Sequence, residues 1–215
     1  MSSILVVTAV EAEQRAVQLG LTGDERFHIV AGGVGAPAAA AATSALLARP
    51  HSYKLVLAAG IAGGFHGRAP VGSLAVAERI IAADLGAETA DGFLSLDELG
   101  FGSAALAVDA ARSQAVAEAL SAAALPCALG SILTVNTVTG TAERALKLQQ
   151  RVPGAVAEAM EGYGVAMAAH MQGLPVMELR AISNPVGPRD RAAWRIREAL
   201  DSLQQACSVI KEVVQ

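Results

Sequence analysis

The chain has 215 residues, a formal net charge of −4 at pH 7, and a composition that is 53% hydrophobic but only 3% aromatic. This length fits one α/β domain with a sizeable core, so we expect residues 1–215 to form a single domain. The 16 Lys and Arg residues are scattered, whereas binding to a phosphate backbone requires a dense basic surface, so we expect no nucleic-acid partner. No uncharged apolar run reaches the roughly 18 residues that a membrane helix needs, so no membrane association is expected.

The first residues and the two cysteines bear on the compartment. The N-terminal apolar run has no basic stretch before it and ends at Glu11, which predicts a first strand and not a signal peptide. Cys127 and Cys207 lie far apart without CxxC spacing, which is typical of buried thiols in a reducing environment. We therefore expect a cytoplasmic protein without a disulfide framework or a zinc site.

Six apolar runs rich in β-branched residues predict strands, and each is followed by glycine-rich or polar residues. In chain order they are Ile4–Val10, HIVAGGV ending at Val34, KLVLAAGI ending at Ile61, SLAVAERII ending at Ile81, ALGSILTV ending at Val135, and VMELRAIS ending at Ser183. Strands that are apolar on both faces belong in a sheet covered by helices on both sides. The alternation of strands and helices therefore predicts an α/β layered sandwich.

The helix signals lie between these runs. Pro37 suits the first turn of a helix, and Ser113 and Thr141 are candidate N-caps of two more. The pattern from Asp190 to Val214 predicts one long C-terminal helix. Residues 82–104 break the alternation with acids and glycines, and we interpret them as an excursion over the sheet edge that forms either a lid or a subunit contact.

Polar or glycine-rich features follow five of the predicted strands. They are Glu11 and Glu13, Gly32–Gly35, Gly60–Gly64, Asn136–Thr137, and Asn184 with Arg189 and Asp190. Ligands of open α/β sheets bind beyond the carboxyl ends of the strands, so this agreement predicts a small-molecule site at that edge. Neither glycine segment has the GxGxxG or P-loop pattern, so dinucleotide and ATP binding are not expected.

Two acids stand out as candidates for chemistry. Glu161 lies in an apolar stretch that is typical of a protein core. A carboxylate there must accept hydrogen bonds or carry a raised pKa. Ribose hydroxyls are suitable donors for such a group. The alternative is a helix-start carboxylate favoured by the helix dipole. Glu13, at the end of a core strand, is placed to deprotonate water, although Glu11 competes for that role. The four histidines show no spacing suited to a metal or a catalytic triad, so we expect no metal.

Several segments resemble the nucleoside phosphorylase and nucleosidase superfamily, and the resemblance covers nearly the whole chain. They are TAVEAE (8–13), GGVG (32–35), AGIAGG (59–64), AMEGYGVA (159–166) and RAISN (180–184). Four further segments are most similar to the futalosine hydrolases within it: DLGAE (84–88), FLSLDELGF (93–101), TVNTVTGT (134–141) and AISNPVGPRDRAAW (181–194). The resemblance implies a three-layer α/β/α sandwich with a twisted mixed central sheet, and a homo-oligomer.

The resemblance also implies roles for particular residues. Glu13 corresponds to the group that activates water, and Met160 and Glu161 to a pair that contacts ribose. Thr137 and Val138 correspond to the base pocket. The resemblance also implies that Gly60 and Ile61, at the end of the third strand, contact the substrate. The family often has a hydroxyl side chain where this chain has Ile61. The missing hydroxyl weakens phosphate binding at this position.

Asn184 occupies the position at which adenine-specific nucleosidases have Asp. An amide is no strong acid, but it can donate to the carbonyl or a ring nitrogen of a 6-oxopurine. Futalosine carries hypoxanthine, so Asn184 favours that substrate, and Asp190 is the second candidate for the proton donor.

The expected reaction is therefore cleavage of a purine–ribose bond by water, without metal or organic cofactor. Three alternatives stay open: a phosphate-dependent purine nucleoside phosphorylase, a methylthioadenosine/adenosylhomocysteine nucleosidase, and a nucleoside-binding protein without activity. The group that holds the carboxylated aromatic arm of futalosine is also open, with His66, Arg68, Arg79 and a neighbouring subunit as candidates.

Overall fold

The computed structural model describes residues 3–214. The strands are β1 (Ile4–Thr8), β2 (Phe27–Ala31), β3 (Leu55–Gly64), β4 (Leu74–Ala82), β5 (Gly86–Thr89), β6 (Gly92–Ser95), β7 (Ala105–Ala107), β8 (Cys127–Thr134), β9 (Ala155–Ala159) and β10 (Val176–Pro185). The helices are α1 (Glu11–Gly20), α2 (Ala36–Leu47), α3 (Ala110–Ala122), α4 (Ala142–Arg151), α5 (Gly162–Met171) and α6 (Ile196–Ile210), and a 3₁₀ turn spans Arg191–Ala193.

The central sheet is mixed and partly closed on itself. Its strands follow the order β10-β4-β8-β9-β3-β1-β2, with β7 beside β4. Strand β10 also pairs with β3, so β3, β10, β4, β8 and β9 form a ring from which β1 and β2 extend. The β3–β10 and β1–β3 pairs are parallel, whereas β3–β9 and β4–β10 are antiparallel. The predicted α/β sandwich with a mixed sheet is confirmed.

Each face of the sheet buries a separate apolar core. In β1, Ile4 and Val6 pack on the side of α1, α3 and α6, whereas Leu5 and Val7 pack on the side of α2 and α5. Successive side chains of a strand point to opposite faces, so a strand between two helical layers must be apolar at every position. This is the physical reason for the continuous apolar runs in the sequence.

The helix starts agree with the sequence in part. The Thr141 side chain accepts from the backbone N–H of Arg144 and caps α4, as predicted. Ser113 was the wrong cap for α3: Asp109 accepts from the backbone N–H of Arg112, and Ser113 is buried one turn further along.

The long helix predicted from Asp190 is also wrong. The chain makes a short 3₁₀ turn after Asp190, and α6 begins only at Ile196. The backbone N–H of Arg195 donates to the carbonyl of Ser183 at 2.8 Å. This tertiary bond holds the preceding segment against the end of β10, so the residues cannot continue a helix.

Residues 82–104 contain the β5–β6 hairpin, which lies outside the central sheet. The Tyr163 hydroxyl donates to the carbonyl of Ser103 at 2.7 Å and ties the end of this segment to α5. Phe101 is 79% exposed and Leu94 38% exposed, so the segment presents apolar side chains outward. In the described part of the chain, no helix is both long and apolar enough to cross a membrane.

Candidate active site

A cavity of about 570 Å³ lies where β1, β3, β9 and β10 end. Its wall includes Glu13, Ile61, Glu158, Met160, Glu161, Asn184, Val138 and Thr139, and its mouth carries Arg189, Arg191 and Trp194. The cavity therefore lies at the sheet edge that the sequence indicated. Its size fits a nucleoside-sized ligand, for which pockets of about 300–1,000 Å³ are usual.

A second cavity of about 780 Å³ lies between the β5–β6 hairpin and α4. Its charged groups include Lys147 and Glu143, which pair with each other at 2.7 Å and are largely exposed. Exposed charges are strongly screened by water, so we place the chemistry in the smaller cavity, where the carboxylates are buried.

The Glu13 carboxylate is held by three backbone N–H groups. Glu13 is the third residue of α1, and its Oε2 accepts from the N–H groups of Ala9 at 2.9 Å and Val10 at 3.2 Å, as in a capping box. Its Oε1 accepts from the N–H of Ile61 at 2.8 Å. The ends of β1 and β3 thus fix one buried carboxylate, whereas Glu11 is exposed and lies outside the cavity.

Gly60 has a packing reason to be glycine. A Cβ atom at this position would lie 2.6 Å from Oε1 of Glu13 and 2.7 Å from Nη1 of Arg180. Gly60 itself does not line the cavity, whereas Ile61 does. The predicted contact of Gly60 with the substrate is therefore replaced by an indirect role, since its missing side chain lets two charged groups approach each other.

Gly60→Ala is accordingly expected to lower the midpoint of thermal unfolding by several degrees. Overpacking of this kind costs about 1–3 kcal/mol, because Glu13 or Arg180 must shift. Differential scanning calorimetry measures the change. Gly154→Ala is the matched control, since a Cβ there meets only Ser131 Oγ, at 3.9 Å. Equal midpoints for the two variants would contradict the tight packing at Gly60.

The Glu161 carboxylate lies between a backbone N–H and a buried arginine. Its Oε1 accepts from the N–H of Gly35 at 3.1 Å, and its Oε2 accepts from Nη1 of Arg180 at 3.2 Å. Although Glu161 is the N-cap residue of α5, its side chain makes no capping bond. Glu161 therefore lies at a helix start, where the dipole favours a carboxylate. Its oxygens bind Gly35 and Arg180 instead of the N-terminal turn of α5, and the side chain lines the cavity.

Arg180 and Glu178 form a buried ion pair behind Glu161. Nε of Arg180 donates to Oε1 of Glu178 at 2.8 Å. Burial alone would lower the pKa of Arg180, but Glu178, Glu161 and Glu13 outweigh it and raise that pKa, so the guanidinium stays charged. Burial raises the pKa of Glu178, and Arg180 offsets this in part.

Sequence reasoning missed this pair, although it left a signal. Glu178 and Arg180 are two residues apart in a largely apolar strand, so they point to the same face and can pair in the core. An isolated charge in such a strand would be very costly, whereas an adjacent opposite charge makes burial tolerable.

Glu158 and Asn184 flank Gly63 in the sheet. Gly63 pairs with Glu158 of β9 on one side and with Asn184 of β10 on the other. A Cβ at Gly63 would lie 3.2 Å from Nδ2 of Asn184, so the glycine keeps the space between the two side chains open. Both side chains line the cavity.

The amide of Asn184 has a defined orientation. The Ser183 hydroxyl donates to its Oδ1 at 2.8 Å, and its Nδ2 donates to the carbonyl of Pro185 at 2.9 Å. An amide nitrogen has two N–H donors, so one remains for a ligand.

Glu158 is buried and is held by Thr139. Its carboxylate accepts from the backbone N–H of Thr139 at 2.9 Å and from the Thr139 hydroxyl. Burial raises the pKa of Glu158, against the lowering effect of these hydrogen bonds. Sequence reasoning missed Glu158 because β9 is rich in alanine and carries few β-branched residues, so the strand itself was not predicted.

Besides Gly60, two predicted site residues lie outside the cavity. Thr137 is exposed, because the loop after β8 turns Thr139 inward to Glu158 and leaves Thr137 in solvent. Asp190 is also exposed, and its carboxylate accepts from the N–H of Ala192 at 3.1 Å to cap the 3₁₀ turn. The structure therefore does not support Asp190 as a proton donor.

Val138, Met160 and Ile61 line the cavity together with Glu13, Glu161 and Asn184. The candidates for the aromatic arm, which were His66, Arg68 and Arg79, are exposed and do not line it. Across residues 3–214, no group of three His, Cys, Asp or Glu side chains is arranged to hold a metal ion.

Residues 5–215 match the family model described as the phosphorylase superfamily. The chain belongs to this superfamily. It is 50% identical to a futalosine hydrolase of Streptomyces coelicolor, over 99% of this chain and 96% of that protein.

Two solved structures share the fold. A futalosine hydrolase mutant of Helicobacter pylori superposes with a TM-score of 0.84 at 17% identity, over 99% of both chains. A 5′-methylthioadenosine/S-adenosylhomocysteine nucleosidase of the same species gives a TM-score of 0.85 at 16% identity, over 99% of this chain and 98% of that one. The fold is thus common to both activities and does not separate them.

Proposed function

We propose that this protein hydrolyses the N-ribosidic bond of futalosine, releasing hypoxanthine and dehypoxanthine futalosine in the futalosine route of menaquinone biosynthesis. The observation that carries the proposal is the 50% identity to a futalosine hydrolase over nearly the whole of both chains. The cavity also supports it, because it combines three buried carboxylates with an amide where an adenine-specific enzyme of this superfamily has an acid.

Glu13 is the group that activates the attacking water. A carboxylate has about four acceptor sites, and three backbone N–H groups occupy three of them. The remaining site, on Oε1, is free to accept a water proton and orient its oxygen toward the anomeric carbon. Because the three N–H groups belong to the ends of β1 and β3, the carboxylate does not need to reorganise during the reaction.

Glu161 holds the ribose. Its carboxylate accepts from the sugar hydroxyls, and this interaction strengthens as positive charge develops on the ribose in the oxocarbenium-like transition state. Arg180 fixes the position of Glu161 and remains behind it, away from the cavity wall. Met160 supplies an apolar surface beside the sugar.

Asn184 and Glu158 recognise the base through hydrogen bonds. The free N–H of Asn184 donates to the carbonyl oxygen or to a ring nitrogen of the 6-oxopurine and stabilises the departing anion. Glu158, on the other side of Gly63, accepts from the ring N–H that a 6-oxopurine has and a 6-aminopurine lacks. An adenine would place a ring acceptor against this carboxylate, so the pair favours hypoxanthine.

Glu158→Gln is expected to lower kcat/KM for inosine by about 10-fold or more and to reduce the preference for inosine over adenosine, because a charge-assisted hydrogen bond is lost. The ionised form is the acceptor, so kcat/KM of the unsubstituted protein should rise with pH through the raised pKa of Glu158. The pH profile of Glu158→Gln should lack this rise. Steady-state kinetics from pH 4 to 8 measure both effects. Glu78→Gln, at an exposed position of β4, is the control. An unchanged substrate preference and pH profile would remove Glu158 from base recognition.

The direct test is release of free base from futalosine, inosine and methylthioadenosine, each with and without inorganic phosphate, followed by chromatography. The proposal predicts futalosine as the preferred substrate and a rate that does not depend on phosphate. Preference for methylthioadenosine would favour the adenine-type nucleosidase, and a phosphate requirement would favour the phosphorylase. Tight binding of futalosine without turnover would leave a nucleoside-binding protein.

We further propose that the protein works in the cytoplasm as a homo-oligomer of single-domain chains. Burial raises the pKa of the Cys127 thiol to about 11 and that of Cys207 to about 12, so both remain unreactive thiols, as suits a reducing compartment. The exposed Phe101 and Leu94, in a segment tied down at its end by Tyr163, favour a subunit contact over a lid for residues 82–104. Sedimentation equilibrium measures the oligomeric state.

A further inference from the structure

The mouth of the active-site cavity differs in charge from its interior. The buried interior carries the carboxylates of Glu13, Glu158 and Glu161. The mouth carries two arginines, Arg189 and Arg191, beside the indole of Trp194. These three residues, which we call the cationic rim, come from the segment between β10 and α6, and none of the roles described above uses them.

The cationic rim is held in place by backbone contacts at both ends. The N–H of Arg189 donates to the carbonyl of Gly140 at 3.0 Å, next to Val138 and Thr139, which line the cavity. The N–H of Arg195 donates to the carbonyl of Ser183 at 2.8 Å. The segment is therefore anchored to the loop after β8 and to the end of β10, both of which contribute residues to the cavity.

Among residues 3–214, neither Arg189 nor Arg191 makes an ion pair, although Arg195, a few residues further on, pairs with Glu198 at 3.2 Å. The Arg189 guanidinium carbon lies 5.7 Å from the centroid of the Trp194 ring, in a cation–π contact. The rim therefore offers two unpaired cations and one aromatic face at the opening of an otherwise acidic cavity.

We propose that the cationic rim binds an anionic, planar substituent of the nucleoside substrate, of the benzoate type. A guanidinium pairs a carboxylate through two parallel hydrogen bonds, and an indole stacks on a flat ring. The acidic interior repels an anion, so an anionic part of the substrate must remain at the mouth while the neutral ribose and base enter. The inference rests on the proposed function, and it makes the rim the determinant that selects a carboxylated aryl nucleoside over a plain one.

Trp194 gives a readout that does not depend on catalysis. It is the only tryptophan of the chain, so its fluorescence reports on ligands at the rim. Benzoate is expected to change this fluorescence and to saturate, and Arg189→Ala and Arg191→Ala are each expected to weaken its binding by about 10-fold. Arg197→Ala, at an exposed position of α6 outside the cavity, is the control and should match the unsubstituted protein. Inorganic phosphate at equal ionic strength tests whether any anion suffices.

The kinetic arm compares futalosine with inosine, which lacks the anionic arm. In either rim variant the ratio of kcat/KM for futalosine to that for inosine should fall by about 10-fold, mainly through KM. An unchanged ratio together with unchanged benzoate binding overturns the inference, and so does phosphate binding at the rim that equals benzoate binding. If the protein releases no base from any nucleoside, the proposed function fails, whereas the fluorescence titration still decides whether the rim binds an aryl carboxylate.

Discussion

Replacing Glu13 with glutamine is expected to lower kcat for futalosine hydrolysis by about 10²-fold or more. An amide cannot take the proton of the attacking water. In addition, both carboxylate oxygens of Glu13 accept hydrogen bonds from backbone N–H groups. In the variant, the NH₂ group of glutamine must therefore face a backbone donor in either orientation of the amide. The loss should therefore appear in kcat, with a smaller change in KM.

The matched control for this variant is Glu11→Gln, in the same first turn of α1. Glu11 is exposed and lies outside the cavity, so its replacement should leave kcat within a factor of about two. Single-turnover measurements separate the chemical step from product release, and circular dichroism checks that both variants fold. A normal rate in Glu13→Gln, or an equal loss in Glu11→Gln, would show that another group activates the water.

The second large effect is expected for Glu161→Gln, which should lower kcat/KM by about 10²-fold or more. The variant removes the negative charge that stabilises the oxocarbenium-like ribose. It also replaces the carboxylate that accepts from Arg180, a buried cation that then keeps Glu178 as its paired partner. A fall in the thermal midpoint should therefore accompany the loss of activity, since truncating a buried ion pair is destabilising.

A substrate comparison distinguishes a ribose contact from a general loss of structure. If Glu161 binds the sugar hydroxyls, 2′-deoxyinosine should be a much poorer substrate than inosine for the unsubstituted protein. The two should become nearly equal for Glu161→Gln, because the lost contact no longer discriminates between them. Unchanged discrimination in the variant would place Glu161 away from the ribose, whatever its effect on the rate.

The sheet was predictable because most strands lie between two helical layers. Such strands are apolar at every position, as β1 is, and that pattern is visible in a single sequence. Strand β9 was missed for the opposite reason: it combines alanines with a buried glutamate, and only the sheet context makes this segment extended. The start of α6 was missed because the bond from Arg195 to Ser183 joins residues whose proximity depends on the fold.

The candidate site was predictable where a residue follows directly from a strand end. Glu13 and Asn184 come at or after such ends. Glu161 was recognisable instead as a carboxylate within an apolar stretch, and the structure brings all three to one cavity. Residues set by contacts across the fold were not predictable in this way. Thr139 points inward where Thr137 was expected, because a buried carboxyl from β9 binds it. Arg180 contacts Glu161 only because β10 runs beneath the start of α5.

Hydrolysis of futalosine in oxygen-18-labelled water, with inorganic phosphate present, tests the central claim most directly. Mass spectrometry of the sugar product reports which nucleophile attacked the anomeric carbon. Water activated by Glu13 predicts free hypoxanthine and a sugar product that carries one labelled oxygen, with no phosphate ester. Formation of a phosphorylated sugar, or release of base from methylthioadenosine in preference to futalosine, would contradict the account.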